Sequence, residues 1–200
     1  MDFLRRRLSQ KLKGKNATVK SVLLTGIPQV EILNYAEKNN SDLIALTTHG
    51  RGGIGRWVLG SISDKVIRAA KTPLLVIHSK KSGEEPKPTD KAILVPLDGS
   101  EAGEAALPYA EALARAMNKE IILLQVLEAV VFAGDLSGEV AAYSEHLVQA
   151  QWKAAEDYLS NLAKRLRRKK VASRYQILLG APANEIARTA SEQGVDLIAI

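Results

Sequence analysis

A glycine-rich segment between a short apolar run and an amphipathic run is the part of the sequence best suited to bind a ligand. It extends from Thr47 to Ser61 and has glycines at 50, 52, 53, 55 and 60. Glycines let a backbone approach a bound group closely, and N–H groups at a helix start bind phosphate. Ser61, at the expected helix start, can either donate to a phosphate or cap the helix.

Two further side chains of this segment, His49 and Arg51, can reach a phosphate or remain solvated in the loop. In this segment Gly50 is followed, after nine residues, by Gly60-Ser61. This spacing alone is weak evidence for a site, because common residues such as glycine and serine produce it by chance. Its position between an expected buried strand and an expected helix strengthens it. The segment is therefore a candidate phosphate site without a candidate catalytic group.

Asp98 is the second candidate, because it follows a short apolar run that is predicted to be a strand. Ligands of open parallel sheets bind where strands end at the carboxyl edge. Asp98-Gly99-Ser100 before a helix is also a turn signal, so Asp98 can instead be a turn or N-cap residue. Both interpretations remain open from sequence.

Several classes of function are disfavoured by composition. The chain has no cysteine, and its three histidines, His49, His78 and His146, lack metal-ligand spacing. No Ser-His-Asp arrangement or paired carboxylates suggest hydrolytic machinery. The apolar runs are too short to span a bilayer and no signal peptide is evident, so we expect a cytoplasmic protein.

The formal net charge of +6 is concentrated in two basic runs, one near the N-terminus and one at residues 164–170. Nucleic acid is a possible partner for such runs. Both runs, however, coincide with helical patterns whose other face is apolar, and neither contains interleaved aromatic residues. We therefore favour solvated helix faces over a nucleic-acid site. Trp152 precedes the second basic run on the same predicted helix, and we expect its side chain on the apolar, core-facing stripe of that helix.

The chain contains an internal repeat with an offset of 154 residues. Gly26-Ile27-Pro28 aligns with Gly180-Ala181-Pro182, and the match continues to Asp42-Leu43-Ile44-Ala45 against Asp196-Leu197-Ile198-Ala199. The period is one whole domain. Residues 1–80 are expected to hold the later part of a first copy, 81–90 a linker, and 91–200 the earlier part of a second copy.

Apolar periodicity predicts alternating strands and helices. Strands are predicted at residues 19–25, 42–47, 73–78, 92–96, 120–127, 174–179 and 196–200. Helices are predicted at residues 61–70, 101–117 and 144–168, with one of about 12 residues after each Gly-x-Pro. Nearly continuous apolar strands indicate a parallel sheet with helices on both faces, which is a doubly wound α/β fold.

Four segments together resemble the universal stress protein family (UspA-like). They are Asp42-Leu43-Ile44-Ala45, Thr48-His49-Gly50-Arg51-Gly52-Gly53 with Gly60-Ser61, Ile93-Leu94-Val95-Pro96-Leu97-Asp98-Gly99-Ser100, and Leu123-Leu124-Gln125-Val126-Leu127-Glu128. Thr47 stands where the family signature has its first glycine. The resemblance implies a Rossmann-like, adenine nucleotide alpha hydrolase-like sheet of five parallel strands in the order 3-2-1-4-5, in a tandem arrangement with both copies incomplete.

The resemblance also implies binding of ATP or a related adenine nucleotide, taken up with Mg²⁺, in the stress response. By resemblance, Asp98 and Val126 would hold the adenosine portion. The phosphate and ribose side would be held by Thr47, His49, Gly50, Arg51, Gly60 and Ser61. Hydrolysis would be slow at most. The alternative is a structural or protein-interaction member that binds no nucleotide. Because the two half-sites lie in different copies, a complete site would have to be assembled within one chain or between two chains. A homodimer or domain-swapped oligomer is expected.

Overall fold

The computed structural model describes residues 2–14, 17–47, 60–77, 92–128 and 138–200, which divide between two compact units, Met1–Glu85 and Pro86–Ile200. The helices are α1 (Asp2–Lys11), α2 (Pro28–Lys38), α3 (Ser61–Ala69), α4 (Glu101–Glu104), α5 (Leu107–Met117), α6 (Gly138–Arg168) and α7 (Pro182–Glu192). The strands are β1 (Ile44–Thr47), β2 (Leu74–Ile77), β3 (Ile93–Pro96), β4 (Ile121–Leu127), β5 (Ser173–Leu179) and β6 (Leu197–Ile198).

The second unit is built on a four-stranded parallel sheet in the order β5-β4-β3-β6. Its two central strands are apolar on both faces, and Ile93 to Val95 and Ile121 to Leu124 are fully buried. This is the pattern of a parallel sheet covered on both sides. In the expected order 3-2-1-4-5, strands β5, β4, β3 and β6 correspond to strands 3, 2, 1 and 4. The full five-strand order stays a prediction.

Alternate residues of the central strands pack against different helices. Ile93, Val95, Ile121 and Leu123 face α5 and α6, where they join Ala110, Leu159 and Leu162 in one core. Leu94, Ile122 and Leu124 face α7 and pack against Ile186 and Ala190. The predicted doubly wound α/β fold is confirmed, since helices cover both faces of the sheet.

Helix α6 is longer than the sheet that it covers. Its 31 residues extend about 46 Å, whereas the seven-residue strands β4 and β5 extend about 23 Å. Its buried stripe lies in the C-terminal half, at Ala155, Leu159, Leu162, Ala163 and Leu166.

The predicted core position of Trp152 is wrong, since this side chain remains 40% exposed. It lies seven residues before Leu159, on the same helix face, but at a level that the buried stripe does not reach. The sequence spacing therefore predicts the correct face of α6 for Trp152, but the sheet does not extend far enough along α6 to cover this side chain.

No helix within the described ranges has the length and apolarity needed to cross a bilayer.

The single helix predicted at 101–117 is divided into α4 and α5 by a turn at Ala105 and Ala106. Pro108 lies at the start of α5. A proline has no N–H to donate and its ring clashes with the carbonyl four residues earlier. That earlier residue is Glu104, where α4 ends, so the break has a local cause.

The first unit has a much smaller core. Its strands β1 and β2 form a two-stranded parallel sheet in which Ile44 is the partner of Leu74. Within the described part of this unit, the buried hydrophobic residues are Ala36 of α2 and Val66 of α3. An isolated pair of strands is marginal in water.

The strand predicted at residues 19–25 does not form, so this prediction is wrong. The segment is neither helix nor strand, and its Leu23 is 76% exposed. Its repeat equivalent in the second unit is β5, which pairs with β4 along seven residues. Among the described residues of the first unit, no strand precedes β1, and a strand without a partner cannot form its ladder.

Candidate functional site

A cleft of about 240 Å³ opens at the carboxyl edge of the sheet in the second unit. Its walls are formed by Pro96, Leu97, Asp98, Gly103, Leu124, Val126, Pro182, Ile186 and Ile200. Most of these residues are apolar, and Asp98 is the one among them with a charged side chain. The cleft can therefore hold a flat apolar group together with a hydrogen-bond donor.

The position of the cleft follows from the strand order. From β3 the chain adds β4 and then β5 on one side, and β6 lies on the other side of β3. A crevice opens where the order of strands reverses, beyond their carboxyl ends, and ligands of open α/β sheets bind there. Asp98 is the second residue after β3, so the topology brings its carboxylate to this crevice.

Asp98 closes a tight turn before α4. Its Oδ1 accepts a hydrogen bond from the Ser100 backbone N–H at 2.8 Å, and Gly99 has φ +83°. Ser100, and not Asp98, is the N-cap residue, since its Oγ accepts from the Gly103 N–H at 3.0 Å. The hydroxyl of Ser100 and then its N–H hold the pKa of Asp98 below its ordinary value. Asp98 is thus both a turn residue and an ionised group at the cleft.

Gly103 is packed closely against this carboxylate. A Cβ at position 103 would lie 2.7 Å from Asp98 Oδ1. That separation is shorter than side-chain contacts allow, so any larger residue would displace the carboxylate. The absence of a side chain at 103 therefore permits the observed position of Asp98.

Val126 lies on β4, on the cleft side of the sheet. It pairs with Leu178 of β5 and packs among the apolar residues that face α7. The structure therefore brings Asp98 and Val126 to the same cleft. Sequence reasoning missed the wall that α7 supplies through Pro182 and Ile186. The internal repeat gave a signal for these two positions, because Pro182 and Ile186 are identical to Pro28 and Ile32 at the equivalent positions of the first copy.

Three of the predicted phosphate-side residues are described in the first unit. Thr47 ends β1, and its carbonyl accepts a hydrogen bond from Ser63 Oγ at 3.2 Å. Gly60 is the N-cap of α3 and Ser61 is its first residue, so the interpretation of Ser61 as the cap is wrong. His49, Gly50 and Arg51 lie outside the described residues. Assembly of the two half-sites stays a prediction.

The basic run at the end of α6 is partly engaged within the second unit. Arg167 donates to the Ser173 carbonyl at 3.0 and 2.8 Å, and Lys169 pairs with Glu111 at 2.8 Å. Arg165 pairs with Glu104 at 3.3 Å. Half-exposed ion pairs of this kind contribute at most about 1 kcal/mol each. These contacts nevertheless engage part of the basic run within the second unit itself.

The fold and the cleft define a doubly wound, Rossmann-like α/β protein with a ligand-sized crevice at its switch point. The model of the universal stress protein family matches residues 2–78 and 90–200. The chain belongs to this family.

Individual relatives match parts of the chain. Universal stress protein MJ0531 of Methanocaldococcus jannaschii is 42% identical over 59 residues, which are 30% of this chain and 35% of that protein. Universal stress protein Mb2028c of Mycobacterium bovis is 37% identical over 99 residues, which are 48% of this chain and 32% of that protein. The chain thus spans about a third of the length of these curated relatives.

The fold is also that of a solved relative. The crystal structure of a universal stress protein from Archaeoglobus fulgidus superposes with a TM-score of 0.66 at 21% identity. The superposition covers 99% of this chain and 69% of that one. At this identity the likeness concerns the fold.

Proposed function

We propose that this chain is an adenine-nucleotide-binding protein of the stress response, acting in the cytoplasm, with ATP as the preferred ligand class. The adenosine portion lies in the cleft of the second unit. The observation that carries the proposal is that Asp98 and Val126, 28 positions apart, line the same cleft. These are the two positions at which the family resemblance implies adenosine contacts.

The chemistry of the cleft suits a nucleoside. Leu124, Val126 and Ile186 offer apolar surface to a base, and the ionised carboxylate of Asp98 can accept hydrogen bonds from neutral donors. Among the described residues that line the cleft, none has a cationic side chain. A charged phosphate chain therefore needs other partners, and the N-terminus of α3 at Gly60 and Ser61 is the proposed one.

Titration calorimetry with adenosine and with Mg-ATP tests this proposal. Asp98→Asn keeps the shape of the side chain and removes its charge, so we expect adenosine affinity to fall about 10- to 100-fold, as for loss of a hydrogen bond to a charged group. Glu101→Gln, which neutralises an exposed carboxylate on α4 outside the cleft, is the matched control and should bind as the unmodified protein does.

Absence of heat with both ligands, in protein that is folded and free of bound nucleotide, would leave the family's non-nucleotide-binding, protein-interaction role as the function. Binding that is equal in Asp98→Asn and in the unmodified protein would remove Asp98 from the site. We assign no catalytic residue, and slow hydrolysis would be measured separately as phosphate release.

A further inference from the structure

Helix α4 is only four residues long, yet the turn that it closes carries Asp98. A single helical turn is unstable by itself, because one hydrogen bond does not offset the ordering of its residues. Contacts from elsewhere in the fold must therefore hold it. The structure shows such contacts at its last residue, Glu104.

Both carboxylate oxygens of Glu104 are engaged by side chains of α6. Tyr158 Oη donates to Oε1 at 3.1 Å, and Arg165 Nη2 donates to Oε2 at 3.3 Å. Tyr158 itself packs against the main core of the second unit. The end of α4 is thereby fastened to a long helix that is anchored in the sheet.

Burial of Tyr158, its hydrogen bond to Glu104 and the charge of Glu104 raise the pKa of its hydroxyl to about 12. The hydroxyl therefore stays protonated at neutral pH and remains a donor. The negative charge of Asp98 contributes a smaller increase in the same direction.

A continuous series of hydrogen bonds leads from Glu104 to Asp98. The Glu104 N–H donates to the Ser100 carbonyl at 3.1 Å, and the Gly103 N–H donates to Ser100 Oγ. The Ser100 N–H in turn donates to the Asp98 carboxylate. A shift of the end of α4 would therefore change the position of Ser100 and of the carboxylate that it holds.

We propose that Glu104, held by Tyr158 and Arg165, is a positioning residue that orients the Asp98 carboxylate at the edge of the cleft. The consequence for adenosine affinity rests on the proposed function. The effect on Asp98 itself does not, because it can be observed without a ligand.

The test is Tyr158→Phe, which keeps the ring and removes the hydroxyl, with Glu104→Gln as a second variant. Tyr109→Phe is the matched control, since Tyr109 is 55% exposed on α5. The pKa of Asp98 is followed by carbon-13 NMR of its carboxyl group. We expect this pKa to rise towards the ordinary aspartate value in Tyr158→Phe and to be unchanged in Tyr109→Phe. In Glu104→Gln the loss of a negative charge acts in the opposite direction, so the rise should be smaller there.

Adenosine affinity supplies the second measurement. We expect Tyr158→Phe to weaken binding about fivefold, the equivalent of about 1 kcal/mol. In a double-mutant cycle, adding Tyr158→Phe to Asp98→Asn should have little further effect, because Tyr158 acts through Asp98. Additive losses would show an independent structural effect and would overturn the proposal.

An unchanged Asp98 titration in both Tyr158→Phe and Glu104→Gln would also overturn it, whatever the affinities are. If the titration shifts as expected but the unmodified protein binds neither adenosine nor Mg-ATP, the positioning role is supported and the proposed function fails. The two failures are therefore distinguishable.

Discussion

At the scale of single residues, the hydroxyl of Tyr158 gives the protein a defined response to alkaline pH. Its pKa is raised from 10.0 to about 12, first by burial and then by the hydrogen bond to Glu104. The folded state therefore holds this proton more tightly than the unfolded state does. The associated stability is fully present below about pH 10 and is lost as the pH rises towards about 12.

We predict that the free energy of unfolding falls more steeply between about pH 10 and about 12 in the unmodified protein than in Tyr158→Phe. The variant has no hydroxyl to ionise at position 158, and its other side chains are the same as those of the unmodified protein. Urea denaturation at a series of pH values measures the difference. Tyr109→Phe should retain the steep fall. Parallel pH profiles for the unmodified protein and Tyr158→Phe would contradict the assignment.

Asp98 could be singled out from sequence because the signal is local: an acid ends an apolar run and precedes Gly99-Ser100. The sequence left the turn and ligand-contact interpretations open, and the geometry allows both at once. Glu104 and Tyr158 could not be paired from sequence. They lie 54 residues apart, and only the packing of α6 against the sheet brings them together.

At the scale of elements, one repeated sequence pattern is found in two environments. Leu178 on β5 is half-buried in the core that faces α7, whereas its repeat equivalent Leu24 is 42% exposed in the segment that precedes α2. The residues are identical, so the difference comes from the neighbours. β5 has β4 beside it, and the described part of the first unit offers no such strand.

We predict that Leu178→Ala lowers the free energy of unfolding by about 1–3 kcal/mol, because it removes packed apolar surface. Leu24→Ala, the matched substitution, should change it by less than about 0.5 kcal/mol, as exposed substitutions do. Denaturant unfolding followed by circular dichroism measures both. Equal destabilisation would show that the segment preceding α2 is packed in solution.

Most elements could be predicted because apolar periodicity and glycine or proline signals are local. The predictions that were wrong depended on distant parts of the chain or on a local signal that was overlooked. A strand at 19–25 depends on a partner that periodicity does not register. The break between α4 and α5 was detectable from Pro108, whose clash ends the preceding helix. Trp152 lies on the predicted face of α6, but periodicity does not register that α6 is longer than the sheet it covers.

At the scale of the whole molecule, the two units differ greatly in how much apolar surface they bury. The second unit has fully buried strands at its centre, whereas Ala36 and Val66 are the buried apolar residues in the described part of the first. Stability within one chain can be uneven, and regions with few buried contacts open first. We therefore expect the second unit, which contains the cleft, to have a higher free energy of unfolding than the first unit.

We predict that the amide of Ile44 exchanges with solvent at least about tenfold faster than that of Ile121, equivalent to about 1.4 kcal/mol in opening free energy. Both amides donate at 2.9 Å to a backbone carbonyl at the start of a parallel ladder, so the local bonds are matched. They differ in burial of the surrounding strand. Hydrogen exchange followed by NMR measures both, and equal protection would contradict separate stabilities.

The whole ligand site could not be predicted to the same degree as the fold. The proposed adenosine side is in the second unit, and the proposed phosphate side is in the first. Local motifs identify each half, but no local motif specifies the placement of one unit against the other. A homodimer or domain-swapped oligomer that assembles the site stays a prediction.

The exposed, irregular segment from residue 17 to residue 25 also bears on how long the chain persists in a cell. Proteases cut where an accessible backbone can enter their active sites, and the paired strands of the second unit do not offer one. Degradation would therefore begin in the first unit. The first unit also holds the proposed phosphate side of the ligand site, so the same cuts would remove that side and leave the cleft of the second unit.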